Sequence, residues 1–113
     1  MKITGVLPAL ITPVKSDGSI NEKAARGLIR RLSECGADGF YILGSTGEGI
    51  LMEEKRRMEM CEIAVDETAG KMPVICHTAA MNFDSALRLT KHAAAAGADA
   101  VSAIPPIFFH YDR

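Results

Sequence analysis

The chain has 113 residues, of which 48% are hydrophobic, with 13 basic and 14 acidic side chains. This size and apolar content predict one globular domain with its own core, and the near-neutral charge without a basic cluster argues against a nucleic-acid partner. The longest apolar runs are as short as strands, and the start of the chain lacks a signal-peptide pattern, so we expect a cytoplasmic protein without a membrane partner.

The amino-terminal part of the chain predicts a strand, a helix and a second strand. The first strand is expected over 5–11 and ends before Pro13, because proline cannot continue a strand ladder. A helix follows from the N-cap Asn21 to Gly36, which is a typical helix-stopping residue. The short apolar run 39–43, bounded by glycine, predicts a second strand buried on both faces.

The next segment predicts a second helix and a third strand. Helical periodicity runs over about 52–69, and Glu53 and Arg57 are spaced as an exposed i,i+4 ion pair. Proline and glycine then break the helix, and the apolar residues 74–77 predict the third strand.

The last predicted pair is a third helix and a fourth strand. Asn82 is a good N-cap for this helix, and Gly97 marks its end. The helical spacing predicts that one inward face holds Phe83, Leu87, Thr90 and Ala94. The fourth strand is expected over 98–104.

The alternation of strands and helices predicts the fold class. Short loops between such elements indicate right-handed crossovers and a parallel sheet with helices outside. An eight-stranded barrel of this kind takes about 250 residues. We therefore predict an α/β fold, the N-terminal half of a TIM (βα)8 barrel with about four parallel strands and three helices, as a single partial domain over 1–113 that ends just after the fourth strand. Uncovered edges and an open inner face predict either a homo-oligomer or part of a longer protein.

Residues 44–48, Gly-Ser-Thr-Gly-Glu, follow the second predicted strand and are the strongest functional signal. The two glycines allow a sharp turn, Ser45 and Thr46 offer adjacent hydroxyls, and the next helix is expected to point free N–H groups at the loop. Since no basic residue lies in the loop, an anion would be held by amides, hydroxyls and the helix dipole, which suits a small carboxylate. Simple turn chemistry is the alternative, but carboxyl ends of parallel strands favour a ligand site.

The loop and its surroundings resemble the N-acetylneuraminate lyase and dihydrodipicolinate synthase family. The resemblance rests on 9–13, Asp17-Gly18, 39–48 and 97–101, and it extends along essentially the whole chain. It implies a class I aldolase, usually tetrameric, that forms a Schiff base between pyruvate and a lysine without a cofactor or a metal. Serine at position 45 and the run 99–103 favour the lyase branch, which releases pyruvate, over the synthase branch, which condenses pyruvate with an aldehyde.

The resemblance also assigns roles to residues in the loop. The family holds the carboxylate of pyruvate there, which implies that Ser45, Thr46 and Gly47 bind pyruvate or another small 2-oxo acid. Tyr41 and Glu48 are further candidates, although core packing explains the tyrosine and helix capping explains the glutamate equally well.

Aromatic residues near the end of the chain form a second group of candidates. Family members place an aromatic pair after the fourth strand, usually with a tyrosine hydroxyl in a proton relay. The matching residues here are Phe108 and Phe109, which have no hydroxyl. Tyr111 is a candidate substitute, and a frayed terminal aromatic is the alternative.

The resemblance places the Schiff-base lysine and the main catalytic tyrosine beyond Arg113. An imine-forming lysine must be neutral often enough to attack, which requires burial or a cationic neighbour. Of the six lysines in the chain, only Lys15 follows a predicted strand on the correct side, and it lies in a turn expected to be solvated. We expect the chain to carry the carboxylate-binding loop but to be inactive alone. A non-enzymatic half-barrel for assembly or carboxylate binding is the alternative.

Histidine and cysteine give weaker signals. His77 ends the third predicted strand, where a hydrogen-bonded structural role is expected rather than acid–base catalysis. Cys35, Cys61 and Cys76 lack metal-ligand spacing, so we expect three buried free thiols.

Overall fold

The computed structural model describes residues 2–105, which form three α-helices and a three-stranded parallel sheet. In chain order the elements are α1 (Glu22–Glu34), β1 (Phe40–Ile42), a 3₁₀ turn (Gly49–Leu51), α2 (Glu54–Thr68), β2 (Val74–His77), α3 (Phe83–Ala96) and β3 (Ala100–Ser102). The strands lie side by side in the order β1-β2-β3. The predicted alternation of parallel strands and helices is confirmed, while the predictions for Phe108, Phe109 and Tyr111 lie outside the described residues.

Two of the three helices begin and end at the predicted capping residues. The side chains of Asn21 and Asn82 each accept a hydrogen bond from the backbone N–H three residues ahead, at 3.1 Å and 2.8 Å. Gly36 and Gly97 follow the ends of α1 and α3 in the left-handed conformation, with φ values of 96° and 99°. These bonds satisfy amides that a helix start otherwise leaves unpaired, so local sequence fixes both helices.

The core lies between the sheet and the helices. Phe40 and Ile42 on β1, and Val74 and Cys76 on β2, share the buried face that packs against the helices. The largest fully buried side chains are Phe40, Leu10, Ile29, Ile42, Leu43, Met60, Val74 and Cys61. Tyr41 and Ile75 are register partners on the opposite face, which corresponds to the interior of a barrel.

The first predicted strand is the largest difference in the sheet. Residues 5–11 run parallel to β1 and make a single isolated bridge, between Ala9 and Tyr41, instead of a regular ladder. Pro8 has no N–H to donate, and the N–H of Val6 donates to the side chain of Asp38 at 2.7 Å. The segment is therefore an extended partner of β1, and the described sheet has three strands.

The second helix begins later than predicted, and one of its charged residues is buried. Met52 is extended, with φ −100° and ψ 149°, so the helix cannot pass through it and starts at Glu54. The prediction of an exposed ion pair between Glu53 and Arg57 is wrong. Arg57 is only 3% exposed, and its guanidinium donates a hydrogen bond to the carbonyl of His77 at the end of β2.

The predicted inward face of the third helix is also wrong. Phe83 is 77% exposed and Leu87 is 38% exposed, whereas Ser85, Leu89 and Ala93 are buried. The buried set is therefore shifted around the helix relative to the predicted one.

The three cysteines differ in their exposure. Cys61 and Cys76 are buried free thiols as predicted, but Cys35 is exposed because it caps the end of α1. Among residues 2–105, no helix is long and apolar enough to cross a membrane. The same residues contain no group of three or more His, Cys, Asp or Glu side chains placed to bind a metal ion.

Candidate functional site

Residues 44–48 form a tight loop at the carboxyl end of β1. The N–H of Glu48 donates to the carbonyl of Ser45 at 3.1 Å, and the N–H of Gly49 donates to the carbonyl of Gly44 at 3.3 Å. Leu43, which precedes the loop, and Glu48, its last residue, adopt the left-handed conformation, with φ values of 61° and 55°. For residues other than glycine this backbone costs about 1–3 kcal/mol each and is concentrated at functional sites, so the loop is held in an unusual shape.

Glycine at two positions of this region is required by close packing against the chain itself. A Cβ on Gly47 would lie 2.9 Å from the N atom of Leu43, and one on Gly49 would lie 2.0 Å from the carbonyl oxygen of Leu43. The Thr12 hydroxyl also donates to the Gly47 carbonyl at 2.7 Å. The loop is therefore pressed onto the end of its own strand, which fixes its backbone.

Ser45 and Thr46 lie at the exposed part of the loop. Within residues 2–105, their hydroxyls and backbone N–H groups make no hydrogen bond to protein atoms. Two hydroxyls and two amides are thus presented on a rigid backbone and are free to bind a ligand, in the arrangement that suits a carboxylate. Structure and sequence agree on the residues that could hold an anion.

The expected contribution of the helix start is wrong. The single 3₁₀ turn after the loop directs the N–H groups of Leu51 and Met52 back to the carbonyls of Glu48 and Gly49. Glu48 is exposed and its side chain caps no helix, contrary to the capping role expected from the sequence. The N–H groups of Leu51 and Met52 are therefore not available to an anion at this loop.

A cavity of ≈ 380 Å³ lies on one side of the loop. Gly47 and Glu48 contribute to its wall together with Thr12, Met52 and Arg56, but Ser45 and Thr46 do not line it. The free hydroxyls and this cavity are thus separate features of the same loop.

Three polar side chains meet on the barrel-interior face of the sheet. The hydroxyl of Tyr41 lies 2.7 Å from that of Ser102, reaching across β2. The ring centroid of His77 lies 6.4 Å from that of Tyr41, with the planes inclined at 47°. Tyr41, a candidate from the sequence, therefore belongs to a polar cluster. Sequence reasoning missed Ser102, although a serine in a short apolar strand, opposite His77 in the register, is the signal that could have found it.

His77 is buried and electrostatically unusual. It is only 4% exposed, and within the described residues its Nδ1 atom has no hydrogen-bond partner. Burial lowers the pKa of His77, the nearby charge of Arg57 lowers it further, and the Leu43 carbonyl opposes both effects. His77 is therefore neutral at physiological pH, and the hydrogen-bonded structural role expected from the sequence is only partly realised.

Every lysine of the chain is exposed, including Lys15 in the turn after the first extended segment. The N–H of Lys15 donates to the carbonyl of Ser19, and the N–H of Gly18 donates back to the carbonyl of Lys15, both at 2.8 Å. The turn is solvated as predicted. No lysine has the buried surroundings that an imine-forming amine needs.

Comparison with known proteins gives a consistent picture. The model of the Dihydrodipicolinate synthetase family matches residues 2–113. N-acetylneuraminate lyase of Clostridium perfringens is 36% identical over 109 residues, covering 96% of this chain and 38% of the relative. The 4-hydroxy-tetrahydrodipicolinate synthase of Methanothrix thermoacetophila is 40% identical over 104 residues, covering 92% of this chain and 35% of the relative.

The solved structures agree with the sequence comparisons. A prophage protein of the dihydrodipicolinic acid synthase family from E. coli K12, in complex with pyruvate, superposes with a TM-score of 0.92 at 30% identity, covering 96% of this chain and 37% of that one. The matches confirm the predicted fold class, the N-terminal half of a (βα)8 barrel. The chain spans 38% of the length of the first curated relative that it matches.

Proposed function

Because the chain belongs to the dihydrodipicolinate synthetase family, we propose that residues 44–48 are the pyruvate-carboxylate site of a pyruvate-dependent lyase resembling N-acetylneuraminate lyase. The observation that carries the proposal is the tight loop on which Ser45 and Thr46 present hydroxyl and N–H groups that have no hydrogen-bond partner within residues 2–105. A related structure contains pyruvate, which supports a small 2-oxo acid as the ligand.

The proposed chemistry is cleavage of the substrate's carbon–carbon bond between the carbon that becomes the methyl group of pyruvate and a neighbouring hydroxyl-bearing carbon. The hydroxyl loses its proton as that carbon leaves as an aldehyde, and the pyruvate carbon takes up a proton. A lysine imine would accept the electrons of the breaking bond, while the loop would hold the carboxylate in place. All six lysines of this chain are exposed, so none has the buried surroundings that an imine-forming amine needs. We accordingly assign the loop, and not the nucleophile, to these residues.

Condensation of pyruvate with an aldehyde is the second candidate reaction. The 40% identity to a 4-hydroxy-tetrahydrodipicolinate synthase favours it, whereas Ser45 and the run 99–103 favour the lyase. Both reactions use the same carboxylate site, so a test of the loop applies to either.

The direct test measures pyruvate binding by the double variant Ser45→Ala/Thr46→Val. Saturation-transfer NMR of the pyruvate methyl group is the readout. We expect the dissociation constant to rise about tenfold or more, since a hydrogen bond to a charged group is worth about 1.5–3 kcal/mol. Thr4→Val/Ser16→Ala is a matched control that removes two exposed hydroxyls outside the loop. Unchanged pyruvate binding in the first variant would refute the carboxylate site.

Reduction with borohydride separates the loop assignment from a complete catalytic site. An intact-mass spectrum after incubation with pyruvate and borohydride should show no adduct, because no lysine is buried. A single saturable adduct would instead assign the nucleophile to this chain, with Lys15 the first residue to map.

A non-enzymatic carboxylate-binding or assembly module is the remaining alternative. It is favoured by the exposed apolar side chains of α3 and β3, which include Phe83 and Val101. Native mass spectrometry tests the associated proposal of a homo-oligomer, which a folded monomer at micromolar concentration would contradict.

A further inference from the structure

Arg57 is a buried cation without a carboxylate partner among the described residues. Its Nη1 atom donates to the carbonyl of Ala79 at 2.8 Å, and its Nη2 atom donates to the carbonyl of His77 at 2.9 Å. The side chain is 3% exposed, and its Nε atom makes no hydrogen bond within residues 2–105. Burial lowers the pKa of Arg57, while electrostatic interactions with Cys76 and then with Glu54 oppose this shift, but a guanidinium stays protonated at any physiological pH.

The position of this cation is costly for stability. Removing a charge from water is unfavourable even after relaxation, and carbonyl oxygens offset less of that penalty than a carboxylate does. The carboxylate that interacts with Arg57, Glu54, is engaged by Arg88 through two hydrogen bonds of 2.8 and 3.0 Å. A residue kept in such surroundings points to a role other than stabilising the fold.

Arg57 contacts the carboxyl end of β2, the neighbour of β1, after which the 44–48 loop begins. His77 ends β2, beside Leu43, whose carbonyl lies next to its ring. The ring of His77 also packs near Tyr41, and the N–H of Thr78 donates to the carbonyl of Ser102 at 2.9 Å. The contacts of Arg57 therefore hold the end of β2 beside Leu43, against which the loop packs.

The loop itself has no basic residue, and the 3₁₀ turn after it directs the N–H groups of Leu51 and Met52 back to carbonyls of the chain. We propose that Arg57 is a positioning residue whose buried positive charge supplies the electrostatic attraction for the substrate carboxylate, while its two hydrogen bonds hold the end of β2. The proposal rests on the proposed function of the loop. In a medium of low effective dielectric such a charge acts over several ångströms without touching the ligand.

The pKa of His77 measures the electrostatic effect of Arg57 without any ligand. The titratable groups around His77 in the described residues are Tyr41 from β1, Cys76 on its own strand and Arg57 from α2. Of these, Arg57 is the group whose charge lowers the pKa of His77. Replacement by a neutral side chain should therefore raise the pKa of His77 toward its ordinary value, visible as a shifted midpoint in the NMR titration of its imidazole protons.

The experiment compares Arg57→Met with Arg57→Lys and uses two ligands. Pyruvate binding should weaken about tenfold in Arg57→Met, as expected for loss of a charge acting through a medium of intermediate dielectric, and by less than about threefold in Arg57→Lys, which keeps the charge. Pyruvamide, the neutral analogue, should lose much less affinity in Arg57→Met than pyruvate does. Arg30→Met, at an exposed arginine of α1 bonded to Glu67, is the control that should change neither binding nor the His77 midpoint.

The outcomes separate an electrostatic role from a structural one. Equal losses for pyruvate and pyruvamide, or an unchanged His77 midpoint in folded Arg57→Met, would overturn the proposal. If Arg57→Met does not fold, Arg57→Lys decides, since a loss of pyruvate binding as large as that of Ser45→Ala/Thr46→Val would show that charge alone is not what matters. A wild-type chain that binds no pyruvate refutes the proposed function, while a shifted His77 midpoint would still support the field of Arg57.

Discussion

The two edges of the sheet differ in how their apolar side chains are covered. At the β1 edge, Phe40 and Ile42 are fully buried, and an extended segment runs alongside the strand. At the β3 edge, Val101 is 43% exposed and Phe83 of α3 is 77% exposed. Both edges carry apolar residues at positions that periodicity marks as inward. Burial is therefore decided by whether a neighbouring element is present, and not by the apolar pattern alone.

The uncovered edge has the character of an interaction surface. Its exposed apolar residues are Met81, Phe83, Leu87, Val101 and Ile104. In a (βα)8 barrel each strand is flanked on both sides and each helix packs between two others, so an additional strand and helix would cover this edge. The difference between the two edges can be tested by changing one residue at each.

The largest expected effect comes from truncating one phenylalanine at each edge. Phe40→Ala should lower the free energy of unfolding by about 3–5 kcal/mol, because it leaves a cavity in a closed core. Phe83→Ala should change it by less than about 0.5 kcal/mol, as for other exposed positions. Urea denaturation of both variants at one protein concentration measures the two values. Similar losses would show that Phe83 is covered in solution, and the covering partner would then be sought by native mass spectrometry.

A smaller effect is expected from two glycines of the covered edge. Gly49→Ala should cost about 1–3 kcal/mol, because its Cβ would overlap the carbonyl of Leu43 at the base of the loop. Gly27→Ala is the matched control, since it lies within α1 with nothing within 4 Å and should gain about 0.5–1 kcal/mol from helix propensity. Thermal denaturation measures whether stability falls in Gly49→Ala and rises in Gly27→Ala. A neutral Gly49→Ala would mean that the loop can move away from Leu43.

The smallest effect concerns the ion pair that joins α2 to α3, between the two edges. Hydrogen bonds from Arg88, and then from Ser85, lower the pKa of Glu54 to about 2. Because the folded pKa lies below the ordinary value of 4.5, the stabilisation is complete above about pH 4.5 and is lost as the pH falls toward 2. Glu54→Gln should be less stable than wild type at neutral pH, and the difference should vanish near pH 2.

Urea midpoints at a series of pH values test this prediction. Glu59→Gln, at an exposed glutamate of the same helix, is the control that should track wild type throughout. A difference between Glu54→Gln and wild type that stays constant down to pH 2 would show that the carboxylate charge does not contribute. High salt should shrink the effect, because the pair is partly exposed.

Helix ends that are fixed by nearby residues could be predicted from the sequence, whereas the buried face of a helix and the contacts of a buried side chain could not. Asn21 and Asn82 cap their helices through bonds to residues three positions away, so the signal lies within one turn. The exposure of Phe83 and the burial of Arg57 depend on elements that are distant in the chain or absent from the described residues. Helical periodicity gives the spacing of a face but not its direction, which explains both errors.

The candidate site divides in the same way. The motif at 44–48 identified Ser45 and Thr46 from residue types and from their place after a strand, and these residues stay the predicted pyruvate contacts. The link between Tyr41 and Ser102 spans 61 positions, so no local pattern could reveal it. Arg57 of α2 donates to the carbonyls of His77 and Ala79, 20 and 22 positions away, so its burial has no local signal either.

The sequence by itself determined the order of strands and helices, their capped ends and the identity of the loop. These follow from backbone geometry, side-chain capping and apolar spacing, all of which act within a few residues. Only the tertiary structure decided which faces are buried, that 5–11 makes one bridge instead of a ladder, and that Arg57 is buried against the end of β2. Those outcomes depend on desolvation and on hydrogen-bond partners supplied by distant segments, which have no signature in local sequence.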